Sequence, residues 1–88
     1  MTGDESLLVF PCEFPIKVMG KSEADFDALV VEIVRKHCTD LLEGAVKSRL
    51  SREGNYVSVT VTIQAQSRNQ LDRIYLDLTA HEKVLMAL

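Results

Sequence analysis

A histidine and a cysteine stand side by side in this chain, His37 and Cys38, the residue types of a thiol nucleophile and its base. Neighbours on a helix project about 100° apart, so this pair does not exchange a proton side chain to side chain. His37 falls in the last turn of an apolar helical stripe and reads as a packing or capping histidine, favoured there by the helix dipole. His81 has no carboxylate or thiol partner evident in sequence. Cys12 and Cys38 are far apart, without the CxxC or His–Cys spacing of a metal centre, and read as free thiols. These residues suggest no catalytic residue, metal site or cofactor, and an enzyme is the least favoured class.

Gly20 is the one residue set in something like a motif, FPIKVMGKSEAD. A glycine before a helix can cradle an anion, but Glu23, Asp25 and Asp27 crowd this helix start with negative charge. A single glycine is also far from a GxGxxG fingerprint. Gly20 therefore reads mainly as a strand-to-helix turn, with a role in a ligand pocket as the alternative. The remaining chemistry is a set of cations and hydroxyls. If strand alternation holds, Lys17, Met19, Lys47, Arg49, Ser58, Thr60 and Thr62 share one sheet face, which Lys83 would join if the last strand faces that way. Such a face suits an acidic protein partner or a small carboxylate effector. The plainer alternative is a solvated face whose lysines discourage aggregation.

The elements that would place those residues follow from periodicity. FPIKVMG alternates Phe14, Ile16 and Val18 against Pro15, Lys17 and Met19, as a strand does, with Pro15 expected at its beginning. Ser22 and Asp25 resemble a capping box, and Phe26, Leu29, Val30, Ile33, Val34 and His37 form one face of a helix over about residues 23–38. AVKSRLS reads as an edge strand, and REGN as a tight hairpin turn. Val57, Val59, Val61, Ile63 and Ala65 alternate with Ser58, Thr60, Thr62 and Gln64, the pattern of a half-buried antiparallel strand. Ser67 with Gln70 caps a second helix carrying Leu71, Ile74, Tyr75 and Leu78. Arg68–Asp72 and Arg73–Asp77 are spaced for pairing on its outer side. EKVLMAL supplies a last strand.

The order β-α-β-β-α-β implies the α+β class and a ferredoxin-like βαββαβ two-layer sandwich. Its four-stranded antiparallel sheet has the order 4-1-3-2, with two helices on one face. The expected organisation is an N-terminal extension, residues 1–13, and a single domain, residues 14–88. Eighty-eight residues with 47% hydrophobic side chains suffice for one core and no more. Ten basic against thirteen acidic residues give a net charge of −3, so no long-range field draws the protein to nucleic acid or anionic membrane. The shared fold raises RNA binding, but the aromatic stacking platform of that module is absent from the central strands. No membrane-length apolar run and no basic signal segment are present, so a cytoplasmic protein is the expectation.

FPIKVMG, VRKHC, GNYVSVTVTIQA and KVLMAL together resemble the YbeD-like family of small bacterial proteins of unknown function, over roughly residues 9–88. At residue level the match rests on Lys17, Val18, Met19, Gly20, His37, Gly54, Asn55 and Tyr56. CTDLLEG departs from a family stretch that often contains proline. The resemblance implies a cytosolic protein with an ACT-like α+β sandwich, not known as an enzyme and without established catalytic residues. A regulatory link to lipoate metabolism has been suggested for the family by association. ACT-like domains commonly pair as homodimers and take small effectors near the first strand-to-helix turn. That analogy supports the alternative of a sensor for an amino acid or short carboxylate near Gly20.

Overall fold

The computed structural model describes residues 9–38, 41 and 44–88. The elements run β1 (Cys12–Lys21), α1 (Phe26–Arg35), β2 (Val46–Leu50), β3 (Tyr56–Ala65), α2 (Arg68–Ala80) and β4 (Val84–Ala87). The strands form one antiparallel sheet in the order β2-β3-β1-β4, the expected 4-1-3-2 read from its other edge. This is the ferredoxin-like α+β fold.

The alternation of β3 decides which side is dry. Val57, Val59, Val61, Ile63 and Ala65 are buried, and Ser58, Thr60 and Thr62 between them remain part-exposed. Ile16 and Val18 of β1 join the buried set, facing Phe26, Val30, Ile33 and Val34 of α1 and Leu71, Ile74 and Leu78 of α2. Both helices therefore lie on one face, and among the described residues nothing covers the other.

β1 starts at Cys12, ahead of the expected strand, and Pro15 lies inside it. The reason is local. Lys17 exchanges backbone hydrogen bonds with Leu88 at 3.1 and 2.7 Å, so its polar groups face β4. Pro15, two residues earlier, faces the same way but beyond the last β4 pair, so its missing N–H removes no ladder bond.

Gly20 is likewise a strand residue. The chain stays extended through Ser22, whose N–H donates to the Asn55 carbonyl at 3.0 Å. That contact delays α1 to Phe26, with Asp25 as an N-cap that makes no side-chain bond, so the Ser22–Asp25 capping box does not form. The Ser67 cap of α2 does form: its hydroxyl accepts the Gln70 N–H at 3.1 Å, while Gln70 Oε1 accepts the Gln66 N–H at 2.7 Å. The loop stretch CTDLLEG lies largely outside the described residues.

Candidate functional site

Cross-strand register gathers the expected face into rows. Thr60 stands opposite Lys47 on one side and Lys17 on the other, so two lysines flank one hydroxyl. With strands about 4.8 Å apart, the two lysine Cα atoms are about 10 Å apart. The next row runs Arg49, Ser58, Met19, Met86 across all four strands. Thr62 sits opposite Pro15, and Tyr56 opposite Lys21. Lys17, Met19, Lys47, Arg49, Ser58, Thr60 and Thr62 are thus brought together on the open side.

Because β1 continues past Gly20, alternation along it adds Lys21 to this face. Among the described side chains, the cationic groups of Lys17, Lys21, Lys47 and Arg49 stand on this face with one carboxylate, that of Glu13, opposite Gln64. An apolar rim completes the surface along β4, where Met86 is 48% and Leu88 64% exposed. β4 skips Leu85 between its pairings with Met19 and Gly20, and this bulge turns Val84 inward and Met86 outward. The surface grades from basic at β2, through hydroxyls on β3, to methionine and leucine at β4.

Gly20, the alternative pocket residue, and Lys83, the conditional member of this face, lie elsewhere. Gly20 is buried on the helix side, where an added Cβ would come within 2.4 Å of the Phe26 ring and 2.7 Å of the Lys83 carbonyl oxygen. Its space is filled by Phe26, and it is not grouped with Lys17 and Met19. Lys83 does not reach the open face: its ammonium pairs with Glu23 at 3.0 Å beside the start of α1. That hydrogen bond and the attraction of the Glu23 charge raise the Lys83 pKa above its ordinary value.

The histidines find partners that separation in sequence hides. His37 Nε2 lies 2.6 Å from Asp77 Oδ2, and Gln70 Nε2 donates to the His37 carbonyl at 2.9 Å. Asp77 is thereby drawn to α1, and the expected Arg73–Asp77 pair does not form, whereas Arg68–Asp72 approaches 3.6 Å. These bonds clamp the end of α1 to α2 and present no nucleophile to the imidazole. His81 Nδ1 accepts the Lys83 N–H at 3.1 Å and closes the turn before β4. Cys12 and Cys38 are free thiols. Among the described residues no polar or charged side chain is buried, and no cluster has the makings of a metal site. No described helix is long and apolar enough to cross a membrane.

Comparison with known proteins places this surface on a shared scaffold. Residues 5–88 match the family described as "Protein of unknown function (DUF493)". A UPF0250 protein of Paraburkholderia phytofirmans is 47% identical over 85 residues, spanning 97% of this chain and 96% of that protein. UPF0250 protein NE1487 of Nitrosomonas europaea is also 47% identical, over 97% of this chain and 98% of its own. The solution structure of HP0495 from H. pylori superposes with a TM-score of 0.69 at 15% identity, over 92% of this chain and 85% of that one, a likeness of fold.

Proposed function

Given that the chain belongs to the DUF493 family of proteins of unknown function, we propose that it is a small, non-enzymatic interaction module of the cytoplasm. Its open sheet face receives an acidic partner and thereby regulates it. One observation carries the reading: a protein of net charge −3 aligns Lys17 and Lys47 about Thr60 and sets Arg49 opposite Ser58 on its uncovered face. Single exposed ion pairs contribute only about 0–1 kcal/mol each, so several cations must act together. The hydroxyls between them accept or donate to carboxylate and backbone groups without charge of their own.

The alternative, an ACT-like sensor with an amino acid or short carboxylate near Gly20, has less support, because Phe26 fills the space over that glycine. The same Phe26 contact bears on any effector linked to lipoate metabolism at that turn.

Hexaglutamate is a sufficient probe. Reversing charge in Lys17→Glu/Arg49→Glu is expected to weaken its binding at least tenfold in calorimetry while the thermal midpoint stays within a few degrees. Binding to the unaltered protein should also weaken as salt rises, since the Debye length falls from about 10 Å at 0.1 M to about 3 Å at 1 M. Unchanged affinity in the double variant would refute the open face as the binding surface.

A further inference from the structure

The backbone of β2 faces two ways. The Thr62 N–H donates to the Ala45 carbonyl at 2.9 Å, and the Ser51 N–H to the Tyr56 carbonyl at 2.8 Å. Between these anchors Lys47 pairs with Thr60 and Arg49 with Ser58. Antiparallel alternation then turns the polar groups of Lys47 and Arg49 toward β3, and those of Val46, Ser48 and Leu50 out of the sheet. β2 is the terminal strand, and no described strand pairs with that outer edge. Ser48 and Leu50 are exposed, Leu50 by 59%. Beneath the edge, on the helix side, a cleft of about 390 Å³ runs between Leu50, Val57 and Phe26. Glu23 and Asp27 also line it, the first engaged by Lys83 and the second by the Ala28 N–H at 2.8 Å.

We propose that this edge binds an extended segment of another protein by strand addition, with carboxylates on the open-face side and aliphatic side chains over the cleft. The proposal rests on the reading of the protein as an interaction module and specifies how its partner is held. An added strand hydrogen-bonds to the outward groups of Val46, Ser48 and Leu50. Its alternate side chains then fall beside Lys47 and Arg49 on one face, and over Leu50, Val57 and Phe26 on the other. Charge complementarity selects this occupant over a second copy. Antiparallel self-pairing of β2 centred on Lys47, Ser48 or Arg49 sets cation against cation across the dyad, which is destabilising. The same two residues therefore reject self-pairing and favour an acidic strand.

The test uses an acetylated, amidated heptapeptide alternating valine and glutamate, beside its lysine-for-glutamate counterpart, with amide hydrogen exchange followed residue by residue. The glutamate peptide is expected to slow exchange at Val46, Ser48 and Leu50 at least tenfold, and the lysine peptide to leave it unchanged. Ser48→Pro removes an outward N–H that makes no bond to β3, and is expected to abolish that protection. Lys47→Glu/Arg49→Glu provides an independent variant and is expected to invert the preference toward the lysine peptide. Unprotected amides at Ser48 and Leu50, equal response to both peptides, or a β2-paired dimer would each overturn strand addition. Should hexaglutamate still bind the face while these amides stay unprotected, strand addition falls and the open-face reading stands. If hexaglutamate fails to bind at about 1 mM, a concentration at which even weak association registers, the open-face reading falls by itself.

Discussion

Gly20→Ala is expected to remove about 3 kcal/mol of stability, the upper part of the range for overpacking a core. The added methyl would stand 2.4 Å from Phe26 Cε1, 2.5 Å from Phe26 Cζ and 2.7 Å from the Lys83 carbonyl oxygen. Phe26 is 3% exposed, so its ring can yield only toward the cleft that it lines with Leu50 and Val57. The Lys83 carbonyl is backbone in the turn into β4 and yields even less. An 88-residue domain has roughly 4–13 kcal/mol to lose at about 0.05–0.15 kcal/mol per residue, so the loss is a large share. Urea denaturation reads it as a lower midpoint at unchanged slope. Phe26→Leu removes the ring atoms that collide, and the double variant should recover part of the cost but not all, because the Lys83 contact persists. An unchanged midpoint in Gly20→Ala would show that the ring does not lie over β1.

The second large effect separates neighbours on one strand. Ile16 is fully buried under the helices, whereas Lys17, next in sequence, is exposed on the opposite face. Ile16→Ala is expected to cost about 2–5 kcal/mol, the transfer term plus the cavity left in a close-packed core. Lys17→Ala should stay within about 0.5 kcal/mol, as surface substitutions do. Denaturation of the two variants side by side tests the facing of β1, and costs of similar size would contradict it.

The sheet was legible because one strand announces its own orientation. Val57 to Ala65 alternates without a break, which set the face of β3, and register carried that facing to Lys17, Lys47 and Arg49. Local signals failed where a distant contact overruled them. Ser22 and Asp25 have capping-box spacing, yet Ser22 is held extended by Asn55 and the helix begins later. Arg73 and Asp77 have pairing spacing, yet Asp77 turns to His37, forty residues away in the chain. The facing of the last strand was ambiguous because Val84, Leu85 and Met86 are all apolar, and only the bulge at Leu85 resolves it. Gly20 looks like a turn in sequence because nothing in its neighbourhood tells that Phe26 folds back over it.

The most direct test of the account is a chemical-shift map of the labelled protein titrated with hexaglutamate. Shifts should cluster at Lys17, Met19, Lys47, Arg49, Ser58 and Thr60, with residues of α1 and α2 left in place. Shifts confined to Ser22 through Asp27, or spread over the helices, would contradict the claim that the uncovered sheet face is where this protein meets its partner.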